Sequence, residues 1–305
     1  MRHQAKYEGV TVVAPAQTVE VRSSWLRTIK IRPLELFAAL SLLLTACSST
    51  SPASSAAGST TTSKGPPVAP PKAIAASGVL RIGSGLEYPP MEYFNTQHQP
   101  TGVDVALGKA IAKEMGLRAE FVQIAFDGLI PALKASRINI VMADMFITPG
   151  RAKVVDFVPY FADGSSIVTA YHNPLHITSL ADLSGKTVAV QLGTTLEATA
   201  KAENSVLAKQ GRPPMIVLTF PQATDAMDQL GTGRVQAVLI TTSVGKWYAQ
   251  RTPHTFSLAG KPLASQPVGI AVSKADPALR TDVANALSLL KKNGTYARII
   301  QKYLG

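Results

Sequence analysis

Two successive rounds of alternating strand and helix patterns predict an α/β protein built as two α/β lobes. Three observations carry that prediction. Between Val79 and Ala143, short apolar runs alternate with stretches whose apolar residues recur at helical spacing. The same alternation restarts at Thr187 and continues to Thr241. The chain has 305 residues, 46% of them hydrophobic and only 16% charged, which is enough for two modest cores.

Order is expected from about Ser77. Val79–Gly83 reads as a strand, followed by the loop Ser84–Pro90, in which Pro89 and Pro90 fix an extended turn and set Tyr88 at the edge of a cleft. Gly102 leads into a helix that Asp104 is expected to cap. Its Leu107, Ile111 and Met115 form one buried face, and Gly116 ends it. Ala119–Gln123 reads as a strand, Asp127 as the cap of a second helix with Leu129 and Leu133 inward, and Asn139–Ala143 as a strand of a buried parallel sheet. Arg151 then follows a strand and a turn, so it projects from the C-terminal edge of that sheet, where open α/β folds bind ligands. A guanidinium there suits a carboxylate, because its planar fork makes two parallel charge-assisted hydrogen bonds. The competing reading is a surface arginine at a helix start.

After a strand-rich passage, Ser166–Tyr171, the second round consists of strand Thr187–Gln191, turn Gly193–Thr195 and helix Leu196–Gln210. Strand Met215–Phe220, helix Thr224–Leu230 and strand Ala237–Thr241 complete it. The chain returns through strand Gly269–Ser273 and ends in helices Pro277–Asn293 and Thr295–Tyr303, broken at Gly294.

The N-terminal region has a different character. Arg22, Arg27, Lys30 and Arg32 precede the apolar run Leu36–Leu44, which is too short to span a membrane and reads as an export signal. It ends Leu44-Thr45-Ala46-Cys47, similar to the lipobox of bacterial lipoproteins, in which the cysteine is lipidated. Cys47 is the chain's single cysteine, so no disulfide competes for it. Residues 48–72, rich in Ser, Thr, Ala and Pro, read as a tether. The formal charge of +11 divides into +3 over residues 1–46 and +8 over the remainder, with the basic residues dispersed. No basic stripe interleaved with aromatics is present, so nucleic-acid binding is not expected. Gly231-Thr232-Gly233 lacks the third glycine of a dinucleotide fingerprint and reads as a helix-ending turn. His172 and His176 flank Pro174 and read as loop residues rather than metal ligands. No nucleophile elbow or Walker loop occurs, and neither cofactor nor metal is expected.

From Val79 onward the chain resembles the bacterial extracellular solute-binding proteins of family 3, the amino-acid class that feeds ABC importers. The resemblance lies in Tyr88-Pro-Pro, Gly102-Val-Asp-Val, the run Phe126–Leu133, Ile147-Thr-Pro-Gly-Arg-Ala152, Val155-Asp-Phe157, Gly193-Thr-Thr195 and Asn293-Gly-Thr-Tyr296. It implies a type II periplasmic-binding-protein fold, with crossover strands near Ser166–Tyr171 and Leu263–Val272 and a solute held between closing lobes. The expected divisions are a lipoprotein signal peptide (1–46), a lipid-anchored disordered tether (47–76), lobe 1 (77–169 plus 269–305) and lobe 2 (170–268). The implied ligand-binding set is Arg151, Tyr88, Phe126, Asp144, Phe146, Gly193, Thr194, Thr195 and Thr241.

Three of these positions depart from the family's pattern. Asp144 and Phe146 stand where small residues are common, and Thr241 stands where an aspartate commonly receives the ligand's ammonium. Gly85 also falls where binders of basic side chains often carry an acid. Asp144 reads either as the replacement cation acceptor or as a turn cap. The implied partners are a small solute (an amino acid or related acid) and an ABC permease, for a monomer anchored through Cys47 at the outer face of the cell membrane. The alternatives are an enzyme on the same scaffold, similar to cyclohexadienyl dehydratases, with Asp144 or Glu87 as its acid, and a partner-binding or sensor module.

Overall fold

The computed structural model describes residues 65–305; the signal segment, Cys47 and the tether up to residue 64 lie outside the described residues. The first elements in chain order are helix α1 (Lys72–Ser77), β1 (Val79–Ser84), the short strands β2 (Glu87–Tyr88), β3 (Glu92–Phe94) and β4 (Pro100–Thr101), and helix α2 (Val103–Glu114). Next come β5 (Arg118–Gln123), a 3-10 turn at Phe126–Gly128, α3 (Leu129–Lys134), β6 (Ile140–Val141), the single-turn helix α4 (Pro149–Ala152) and the long strand β7 (Asp156–Ala170). The second round comprises β8 (Thr187–Gln191), α5 (Thr195–Lys209), β9 (Ile216–Phe220), α6 (Ala223–Gly231), β10 (Ala237–Thr241) and α7 (Thr242–Arg251). The long strand β11 (Phe256–Val272) leads back to α8 (Pro277–Lys292) and α9 (Thr295–Leu304).

These strands form one eight-stranded sheet in the order β5-β1-β6-β11-β7-β10-β8-β9, and β2-β3-β4 make a small second sheet. The first lobe has parallel pairs β1–β5 and β1–β6, and the second has β8–β9 and β10–β8. The antiparallel pair β7–β11 joins them, with register irregularities between Ala259 and Gln266 and between Val268 and Gly269. These are the two crossover strands implied by the resemblance. Both run further than the sequence suggested, because each continues from one lobe's sheet into the other's. Helices cover both faces of the sheet. Leu107 and Ile111 of α2 and Met115 at its C-cap pack with Val283 and Leu287 of α8, Leu129 and Leu133 of α3 fill the opposite face, and Leu196 and Leu207 of α5 seal the second lobe.

Four expectations are corrected. Order begins before Ser77: Ile74 of α1 and Val68 are buried, and the Val68 N–H donates to the Glu114 carbonyl at 3.1 Å. Asp104 does not cap α2, whose N-terminal flank is Gly102 without a side-chain cap; its carboxylate is fully buried instead. Asp127 caps nothing either, since it lies inside the 3-10 turn and Gly128 precedes α3. Helix α7, absent from the sequence reading, starts directly where β10 ends.

Candidate functional site

The C-terminal edges of β1, β6 and β8 face one another across a narrow cleft between the two lobes. Tyr88, Phe126, Asp144, Phe146, Arg151, Thr194, Thr195 and Thr241 all line it, and Gly193 meets it through its carbonyl group. Gly85, Glu87, Glu92, Ala143, Gln191 and Leu196 complete the lining.

Arg151 owes its position to local chemistry. Thr148 caps α4, accepting a hydrogen bond from the Arg151 N–H at 3.2 Å, and Pro149 occupies the first helical turn, where a missing N–H costs nothing. The guanidinium donates from Nη1 to the Phe146 carbonyl at 2.8 Å and from Nη2 to the Gly193 carbonyl of the other lobe at 3.1 Å. Its carbon lies 5.1 Å from the centre of the Phe126 ring. Burial pulls its pKa down to about 10, so it stays charged at neutral pH. Among the described residues no carboxylate lies within ion-pair distance of it. A desolvated cation with unused N–H donors favours an anion beside it.

The second lobe presents the start of α5 to the same region. Thr194 is its N-cap: the hydroxyl accepts from the Glu197 N–H at 3.3 Å and donates to the Gln191 carbonyl at 2.7 Å. Gly193, at φ 75°, donates its N–H to Glu197 at 2.8 Å. A helix N-terminus at this place adds partial positive charge beside Arg151.

Asp144 has the opposite chemistry. It is 4% exposed, and its φ of 44° turns the chain so that its N–H donates to Asp104 at 2.8 Å. Neither carboxylate oxygen has a hydrogen-bond partner among the described residues, and the Thr241 hydroxyl is equally unpartnered. The turn-capping reading of Asp144 is therefore excluded. Burial, then the charges of Asp163 and Asp104, push its pKa well above the usual carboxylate range. A cation placed there would relieve all three penalties.

Two of the neighbouring acids, Asp104 and Asp163, have structural partners. Tyr160 donates its hydroxyl to Asp104, whose pKa rises to about 6 chiefly through burial. Glu92 is buried beside it, its Oε2 without a hydrogen-bond partner among the described residues, and burial and then Asp104 push its pKa well up. Asp163 accepts from the N–H groups of Gly164 at 2.7 Å and Ser243 at 3.2 Å, which anchors the start of α7. Tyr88 is buried, and its hydroxyl accepts from the Thr241 N–H at 3.1 Å. Phe126 lies under the guanidinium and Phe146 is buried at the cleft floor.

Gln191 and Glu92 are the polar lining residues that the sequence reading missed, and Ala143 and Leu196 the apolar ones. Gln191 was discoverable as the last residue of a parallel strand, the position from which open sheets address ligands. Glu92 gave no local signal, since its place depends on the small second sheet.

Two lobes on a shared pair of crossover strands, with a half-buried arginine at the cleft between them, define a two-lobed solute-binding protein. A family model, "Bacterial extracellular solute-binding proteins, family 3", matches residues 80–305, and the chain belongs to that family. It is 32% identical over 232 residues to "Putative ABC transporter arginine-binding protein 2" of Escherichia coli, covering 75% of this chain and 91% of that one. An ancestral arginine-binding protein solved with arginine matches at a TM-score of 0.69 and 39% identity, over 75% of this chain and 99% of that one. An ancestral amino acid-binding protein described as a precursor of cyclohexadienyl dehydratase also matches, at a TM-score of 0.69 and 36% identity, over 76% and 98%.

Proposed function

We propose that this protein is the extracytoplasmic binding component of an ABC importer and that it captures a zwitterionic amino acid between its lobes. Lobe 1 is taken as residues 77–169 plus 269–305 and lobe 2 as 170–268. Arg151 receives the carboxylate, helped by the N–H groups at the start of α5, and Asp144 receives the α-ammonium. The observation that carries this reading is the pairing of opposites on one cleft: a half-buried guanidinium with no carboxylate in reach and a buried carboxylate with no donor in reach. The names of the relatives, arginine-binding proteins among them, make L-arginine the first probe. Phe126 and Tyr88 supply apolar walls, and Phe146 narrows the floor. The Leu44–Cys47 sequence supports lipidation at Cys47 and attachment of a monomer to the outer face of the membrane, next to its permease.

Binding rather than turnover is favoured by how the acids are used. Glu87, one of the two acids available for dehydratase chemistry, has both oxygens engaged by the protein. A thermal-shift screen of L-arginine, other amino acids, simple carboxylates and prephenate tests the reading. An amino acid should raise Tm in proportion to the logarithm of its concentration above Kd. Arg151→Ala should abolish that shift, a loss of at least about a hundredfold in affinity. A full shift in Arg151→Ala, or consumption of prephenate, would overturn it.

A further inference from the structure

Of the three first-lobe carboxylates that line the cleft, Asp144, Glu87 and Glu92, the protein treats the first two in opposite ways. The oxygens of Asp144 are unpartnered, whereas those of Glu87 are saturated, entirely by the second lobe. Oε1 accepts from Gln191 Nε2 at 2.7 Å. Oε2 accepts from the backbone N–H groups of Ala223 at 2.8 Å and Thr224 at 3.2 Å, the first two residues of α6. Helix α6 has no cap of its own: Gln222 stands at the N-cap with extended backbone but makes no side-chain cap hydrogen bond. Its cap comes from a residue 136 positions earlier in the sequence. Helix N-termini leave N–H groups that require an acceptor, and at α6 that acceptor comes from the other lobe.

We propose that Glu87 is a closure latch, a positioning residue that caps helix α6 across the cleft and so holds the lobes together without touching the solute. It rests on the reading that the solute is captured by lobe closure. Opening the cleft would strip α6 of its cap and break the Gln191 contact together, so the hydrogen bonds form only in the closed arrangement. Glu87 therefore sets residence time, and its charge is not available for selecting a basic side chain.

The test uses the full chain with Cys47→Ser and spin labels at Lys134→Cys on α3 and Lys209→Cys on α5. Distances between the labels are read by double electron–electron resonance, without ligand and with L-arginine. Glu87→Gln keeps the size but loses the charge-assisted cap, and should move the closed population toward longer distances by roughly five- to tenfold. L-Arginine, if bound, should dissociate faster by a similar factor with little change in association rate. In a Gln222→Asp background, where α6 gains a cap from its own chain, the effect of Glu87→Gln should shrink to less than about twofold. An unchanged distance distribution in Glu87→Gln overturns the latch. So does a loss of affinity confined to L-arginine and absent for L-glutamine, which would make Glu87 a ligand acid. Failure of L-arginine to bind counts against that solute alone, because the measurement without ligand decides the latch by itself.

Discussion

The two walls of the cleft divide the work unequally. The first lobe supplies the formal charges that face the solute, Asp144 on the loop after β6 and Arg151 on α4. The second lobe supplies neutral donors and acceptors: the capped start of α5, the Gln191 side chain, the Gly193 carbonyl and the Thr241 hydroxyl. An amino acid can thus satisfy both of its charges on the first lobe alone. The second lobe then adds closure energy through hydrogen bonds and exclusion of water. Specificity for a zwitterion and stability of the closed state become separable properties.

The largest expected break in this comparison comes from Asp144→Asn. Removing the acceptor of a desolvated ammonium costs about 3–5 kcal/mol, or two to three orders of magnitude in Kd for an amino acid, while a simple carboxylate should bind unchanged. Parallel titration calorimetry with L-arginine and its des-amino analogue checks both halves. A smaller effect follows from acidity. Asp144 is pushed upward by burial and by Asp163 and Asp104, so its protonated form is favoured, whereas a bound ammonium favours the ionised form. Binding should release a proton, and affinity should fall as pH drops below the raised pKa. Calorimetry in Tris and in phosphate at one pH would register the released proton as a more exothermic signal in Tris. The second wall is probed by Gly193→Ala. An added Cβ would lie 2.9 Å from the Asp127 Cβ of the first lobe, and φ of 75° already disfavours a side chain. Affinity should fall about tenfold through incomplete closure, with selectivity among amino acids preserved; a change in selectivity would contradict the division of labour.

Much of the architecture was legible because strand and helix signals are local. The apolar runs of β1, β8 and β10, the α2 face Leu107–Ile111–Met115 and the break at Gly294 all follow from short-range pattern. What was not legible depended on partners far along the chain. Asp104 and Asp127 both carry a local cap signature, yet Asp104 is claimed by Tyr160, 56 residues away, and neither caps its helix. Helix α7 follows β10 without a turn residue and takes its anchor from Asp163, 80 residues earlier. For the site, the predicted residues do gather on one cleft, because they sit at strand ends that the fold forces together. The opposite fates of Asp144 and Glu87 could not be read, since both are acids just past a strand with no local partner, and only the packed lobes distinguish an unpartnered carboxylate from a saturated one.

A crystal structure of the protein grown with L-arginine, or with whichever amino acid the screen selects, examines the pairing of charges most directly. The account predicts the ligand carboxylate on the Arg151 guanidinium and the α-ammonium within hydrogen-bond distance of Asp144. A ligand whose ammonium is held elsewhere, with Asp144 still lacking a partner, would contradict it.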